Sequence, residues 1–211
     1  MIARAYDEVR AEQEGLIDAL LAGEAREGII ICQHLPVLTV GRGAPLEQVI
    51  SNPAPFEKRG IELRQVSRGG AATLHTPGQL VIYPVVNLRR RGLAVRKFVS
   101  LGLEAMVEVL AGLGLDSFAE LSPAGVYISS NQRKIASVGL RIDRGVSNHG
   151  FSLNVNCDLE PFELFVSCAE PDRQMTSVAA ELGPALGGGS LGEIAERLRQ
   201  AFSVRFLEGA K

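Results

Sequence analysis

Two side chains in this 211-residue chain, Lys134 and Cys168, have the types and setting for covalent chemistry. Lys134 opens Lys-Ile-Ala-Ser-Val-Gly-Leu-Arg (134–141), and Cys168 closes Asp-Leu-Glu-Pro-Phe-Glu-Leu-Phe-Val-Ser-Cys (158–168). A cysteine attacks as its thiolate, and a nearby ammonium is the simplest device for producing one near neutral pH. A free thiol titrates near ~8.5, which leaves only a few per cent ionised at pH 7. An ammonium at ~4 Å is worth about 1 kcal/mol in water and roughly 4 kcal/mol at an effective dielectric near 20. Only the larger figure makes the thiolate dominant, so such a pair must sit in a partly water-excluded cleft. The chemistry would be acyl transfer through a thioester. Each residue alone has a plainer reading: a small hydrophobe after Leu-Phe-Val, and a solvated hairpin lysine.

A second polar concentration is Ser67-Arg-Gly-Gly-Ala-Ala-Thr-Leu-His-Thr-Pro-Gly-Gln79, read as a loop over 67–78 between two strands. Gly69-Gly70 lets backbone approach a ligand or take positive φ. Arg68 can fork onto a carboxylate, carbonyl or phosphate, and Thr73, His75 and Gln79 add polar groups. The segment reads as the wall of a binding cleft or, more plainly, as a long connection with a capping histidine. His34, His75 and His149 are far apart in sequence and form no ligand-spaced cluster, so no metal site is expected. His75 and His149 are alternative bases for the cysteine.

These residues need a scaffold. Apolar residues at 5, 9, 16, 17, 20 and 21 predict a helix within 2–22, and 94–113 has the most convincing helical pattern, stopped by Gly112 and Gly114. Strands are expected at 28–32, 37–40, 61–66 and 80–86, with a short helix after the Asn52-Pro-Ala-Pro55 turn. Residues 125–129 and 135–142 read as a hairpin, continued by a third strand at 146–154. A helical turn at 161–165 and helices at 175–182 and 191–202, the last two joined by a flexible link at 187–190, complete the chain. Because strands cluster as hairpins, the expected class is α/β of the α+β type, with a mixed, mostly antiparallel sheet flanked by helices in a single domain over 1–211.

With 22 basic and 24 acidic side chains, the formal charge of −2 gives no long-range attraction to nucleic acid or anionic membrane. No stretch approaches the ~20 apolar residues of a membrane span, and the charged start is no signal peptide. Cys32, Cys157 and Cys168 lack Cys-x-x-Cys spacing and fit free thiols in a reducing cytoplasm.

Four segments in order make the chain resemble the lipoyl(octanoyl) transferases, the cofactor-free branch of the biotin/lipoate protein ligase superfamily. They are His34-Leu-Pro-Val-Leu-Thr-Val-Gly-Arg42; Arg68-Gly-Gly…Thr73…His75…Pro77-Gly-Gln79; Lys134-Ile-Ala-Ser-Val-Gly139; and His149-Gly-Phe-Ser-Leu-Asn154…Asp158-Leu…Phe162…Cys168. The resemblance implies a biotin/lipoate protein ligase-like catalytic domain, no cofactor, and Lys134 with Cys168 as the catalytic dyad. It implies an acyl site lined by Arg68, Gly69, Gly70, Ala71, Ala72, Thr73, Leu74 and His75, completed by Ser137, Val138, Gly139, Gly150, Phe151 and Ser152. The implied partners are octanoyl-acyl carrier protein as donor, and as acceptors the lipoyl domains of 2-oxoacid dehydrogenase complexes and the glycine-cleavage carrier protein. A monomer is the default.

The chain departs from that family's usual pattern at Ser67, Leu74, Thr76, Ser167 and Ala169. If Thr76 or Ala169 has to take positive φ, it carries strain that glycine avoids. Competing readings are an ATP-dependent lipoate–protein ligase, a cysteine transferase moving lipoyl between carrier proteins, and a non-catalytic module that binds acyl carrier or lipoyl domains.

Overall fold

The computed structural model describes residues 1–43, 45–50, 52–165, 173–183 and 189–208. Strand alternation sets up its core. In β6 (Gln79–Val85), Leu80 and Ile82 face a core that α4 (Val95–Ala111) and α6 (Leu191–Phe206) complete. The alternate residues Val81, Tyr83 and Val85 pack on the other side against α1 (Tyr6–Ala22), meeting Val9, Ile17 and Leu20. Burial on both faces marks β6 as an interior strand of the sheet.

Around β6 the large sheet runs β1 (Ala3–Arg4), β2 (Gly28–His34), β6, β10 (Val146–Asn154), β9 (Lys134–Asp143), β8 (Ala124–Ile128) and β7 (Ser117–Leu121). Only β1 and β2 pair in parallel there. A second sheet orders β4 (Glu62–Gln65), β3 (Val37–Val40) and β5 (Ala72–His75), with β3 and β4 parallel and β3 and β5 antiparallel. The expected mixed, mostly antiparallel sheet flanked by helices is the architecture found. Among the described residues no helix is long and apolar enough to cross a membrane.

The differences from the sequence reading follow from pairing. The segment 67–78 is not all loop: Ala72–His75 forms β5, because Leu74 lies opposite Leu38 and both bury against Phe56. Pro36 does more than interrupt a strand, since the chain leaves the large sheet there and starts the small one. The strands β1 and β7 carried too little pattern to be expected. The last helices also shift. Helix α5 spans only Val178–Leu182, capped by the Ser177 hydroxyl, while Met175 bridges to Lys134. Helix α6 begins at a capping box between Ser190 and Glu193 and runs on to Phe206. Of the expected flexible link, residues 187 and 188 lie outside the described residues.

One irregularity positions the site. Pro84 sits inside β6, where it has no N–H for the ladder. Ser147 on β10 compensates: its hydroxyl donates to the Pro84 carbonyl at 2.6 Å and accepts from the Val86 N–H at 2.9 Å. Regular pairing between β6 and β10 resumes at Phe151 opposite Ile82. Within that gap His149 takes φ +62°.

Candidate active site

A cavity of about 820 Å³ opens between the two sheets, within the ~300–1,000 Å³ usual for small-molecule sites. Its walls come from β5, β6, β9 and β10, with Tyr6 at the start of α1 and Val95, Arg96 and Val99 at the start of α4. Leu121, Leu140, Phe162 and Met175 extend the apolar lining. Its basic side chains are Arg68, Arg96 and Lys134, and no carboxylate lines it among the described residues.

Lys134 reaches the cavity through a break in register. Pairing of β8 with β9 runs Gly125–Ser137 and Val126–Ala136, then slips to Tyr127–Lys134. Without the slip, Lys134 would share the face of Ala136 and Ser137 that of Ile135. The extra residue reverses the parity, so that Ile135 and Ala136 both enter the core while Lys134 and Ser137 both line the cavity. Lys134 is 5% exposed, with Nζ 5.4 Å from the Tyr127 ring centroid. A Cβ on Gly125 would stand 2.7 Å from Lys134 Cε, so glycine is what makes room for the stem. The Lys134 backbone is tied to the segment after 172: its N–H donates to the Gln174 carbonyl at 2.9 Å, and its carbonyl accepts from the Thr176 N–H at 2.8 Å.

Arg68 is a strut. Its Nη2 donates to the Thr39 carbonyl at 2.6 Å and to the Thr39 hydroxyl at 3.0 Å, and Nη1 donates to the Gly69 carbonyl at 2.9 Å. These bonds pin the segment to β3, and the guanidinium keeps its charge at the cavity wall. Gly139 admits the Arg68 stem, because a Cβ there would lie 2.8 Å from Arg68 Cδ. Gly70 takes φ +77°, whereas Thr76 does not adopt positive φ and carries no such strain.

His75 faces the cavity from β5 and packs between Tyr6, at 6.4 Å between ring centroids, and His34, at 5.5 Å. Its Nδ1 lies 2.7 Å from Gln79 Oε1. Burial, reinforced by His34, pulls its pKa down to about 3. His34 in turn meets the Tyr83 hydroxyl at 2.8 Å, and burial lowers its pKa to about 4. His149 is held through its backbone: its N–H donates to Gln13 Oε1 at 3.2 Å, and its carbonyl accepts from Gln13 Nε2 at 3.1 Å. Burial, then Arg10 and Arg68, lower its pKa to about 2. All three imidazoles are neutral at pH 7.

Of the expected site residues, the structure brings Lys134, Arg68, Gly69, Gly70, Ala71, Ala72, Thr73, His75, Ser137, Val138, Gly139, Gly150, Phe151 and Ser152 to this one cavity. Leu74 is the correction. Strand alternation turns it away from Thr73 and His75 and into the core of the small sheet, fully buried beside Leu38 and Phe56. Cys168 lies outside the described residues, as do Ser167 and Ala169. Tyr6, Tyr83, Val99 and Met175 were missed, since in sequence each is an ordinary member of a helix, strand or turn.

The mixed sheet that carries this apolar, cation-lined slot has the fold of lipoate protein ligase catalytic domains. The bipartite lipoate protein ligase of Thermoplasma acidophilum superposes with a TM-score of 0.69 at 18% identity, covering 93% of this chain and 79% of that one. A lipoate-protein ligase A bound with ATP gives 0.70 at 18% identity, covering 92% and 80%. The lipoyl protein ligase A/B catalytic domain matches residues 5–203, and the chain belongs to that family. Similar curated relatives are the octanoyltransferase of Chloroflexus aurantiacus, 38% identical over 177 residues (83% of this chain, 78% of that protein), and that of Koribacter versatilis, 34% identical over 206 residues (96% and 81%).

Proposed function

We propose that this chain is an octanoyltransferase that moves the acyl group from octanoyl-acyl carrier protein to a lysine of a lipoyl domain, through a thioester on Cys168. The observation that carries the reading is the buried Lys134 at a largely apolar cavity. Burial of an octanoyl tail there contributes about 5 kcal/mol at ~0.8 kcal/mol per methylene.

In this reaction the Cys168 thiolate attacks the thioester carbonyl and the carrier's phosphopantetheine thiol leaves. The acceptor amine then attacks the acyl-cysteine, a C–N bond replaces the C–S bond, and the amine's lost proton ends on the cysteine sulfur. Lys134 stabilises the thiolate and carries the protons. The second step makes an amide from a thioester, so no ATP is required. Two features favour Cys168 over its companions. Burial pushes the thiols of Cys32 and Cys157 up to about 12, which leaves them poor nucleophiles at neutral pH. Phe162 and Met175, on either side of the segment carrying Cys168, both line the cavity. At its rim, exposed Arg96 adjoins Lys97, with Arg89 and Arg90 just before the helix; none has an ion-pair partner among the described residues. They suit the phosphate of the carrier's arm.

The test is intact mass after incubation with octanoyl-acyl carrier protein, with Cys168→Ala and Lys134→Ala in parallel. An octanoyl adduct on the wild type, lost in Cys168→Ala, is expected. Turnover that requires ATP and survives Cys168→Ala would assign the chain to the ligases instead.

A further inference from the structure

We infer that Gln79 and Asn154 are positioning residues which lock His75 in one tautomer, so that its bare Nε2 accepts a hydrogen bond from the attacking amine. The inference rests on the function proposed above and deepens it.

The lock can be read bond by bond. A backbone carbonyl only accepts, so the Gln79 group that meets the Leu74 carbonyl at 3.1 Å must be the amide nitrogen. The same nitrogen donates to Asn154 Oδ1 at 2.9 Å. Asn154 is oriented independently, since its nitrogen donates to the Thr176 carbonyl at 2.9 Å. Gln79 therefore presents Oε1 to His75 Nδ1 at 2.7 Å, and an amide oxygen can only accept. The imidazole proton is thereby fixed on Nδ1, leaving a lone pair on Nε2. No described hydrogen bond occupies Nε2, and the residue lines the cavity. The far end of the chain returns to the other catalytic element, because the Thr176 N–H binds the Lys134 carbonyl at 2.8 Å. Gln79 is 1% exposed and Asn154 2%.

The chemistry needs such an acceptor. As nitrogen attacks the acyl-cysteine it gains positive character, and an acceptor on one N–H both stabilises that charge and aims the lone pair at the carbonyl. Of the two amine protons, one stays on the amide and the other ends on the cysteine sulfur. His75 holds the attacking nitrogen through that exchange and keeps no proton afterwards. In the first half-reaction the attacking atom is a thiolate sulfur with no N–H, so that step has no nucleophile proton for the acceptor to hold.

Two measurements test this. Nitrogen NMR of the histidine-labelled wild type at pH 7 should show His75 protonated at Nδ1 and bare at Nε2; an Nε2–H tautomer or an imidazolium would overturn the inference. In rapid-mixing kinetics, Gln79→Leu should acylate from octanoyl-acyl carrier protein within about 2-fold of wild type. It should then discharge to a lipoyl domain about 10–100-fold more slowly, in line with a ~1 Å misplacement at a reacting centre costing up to ~100-fold. Equal loss in both steps, or in neither, would sink the idea. Should Gln79→Leu fail to fold, Asn154→Ser in the same two half-reactions decides. If the wild type forms no acyl-enzyme, the proposed function fails while the tautomer measurement still stands.

Discussion

His75 and His149 are both buried, neutral and exposed to the same cavity, yet the fold holds them by opposite means. His75 sits on a regular strand and is fixed by its ring, through Gln79. His149 sits in a left-handed kink opposite Pro84 and is fixed by its backbone, which the Gln13 amide brackets on both sides. A regular strand sets backbone direction and leaves the ring to be oriented by neighbours. A kinked residue needs its backbone polar groups satisfied, because the ladder no longer does so. The site thus spends a buried polar side chain on each histidine, and what differs is which part of the residue would otherwise be free.

Acid is the strongest way to erase the difference. Folded pKa values of about 3 for His75, about 2 for His149 and about 4 for His34 all lie below the ordinary 6.5. Below pH 6.5 the unfolded chain takes up protons that the folded chain refuses, so stability is full above that pH and falls beneath it. The slope is on the order of 1.4 kcal/mol per histidine per pH unit. Denaturant melts from pH 7.5 to 4.5 should show the loss, and His75→Asn should make it about a third shallower, one of the three histidines being gone.

Glycine substitution separates the two residues. At 149 it removes left-handed strain of roughly 1–2 kcal/mol, whereas at 75 it adds about 0.5–1 kcal/mol of strand entropy. His149→Gly should therefore cost about 2 kcal/mol less stability than His75→Gly, measured by urea unfolding. Equal costs would mean that the kink is unstrained.

Gly125→Ala tests the lysine's seat. The new methyl would stand 2.7 Å from Lys134 Cε and 2.8 Å from the Ala136 carbonyl oxygen, so both the lysine and the β8–β9 backbone must shift. Acyl-enzyme formation should fall about 10-fold, in line with ~1 Å misplacements costing up to ~100-fold, and the melting temperature should fall as well, because the Ala136 carbonyl cannot swing aside as a side chain can. The smallest effect belongs to the rim. Arg96→Glu should raise KM for the acyl carrier protein a few-fold at low salt, with the gap closing near 0.5 M as exposed charges are screened.

Much of the scaffold could be read from local pattern. The helices α1 and α4 followed from their apolar spacing, and β9 and β10 from their hairpin signals. The cavity-lining stretches around Arg68, Ser137 and Gly150 were legible as motifs. Tyr6 and Tyr83 had no such signal, because membership of the site came from packing between elements dozens of residues apart. Leu74 was misplaced for want of one fact, that Ala72–His75 pairs with β3, from which its inward direction follows.

By itself the sequence determined which side chains were available for acyl chemistry, the order of the local elements, and a mostly antiparallel class, since propensity and period act over a few residues. Only the tertiary structure decided which face Lys134 occupies, because a one-residue slip between β8 and β9 reverses every side chain beyond it. It also decided which histidine nitrogen is bare, because that depends on an amide oriented by a carbonyl and on an asparagine 75 residues further along the chain.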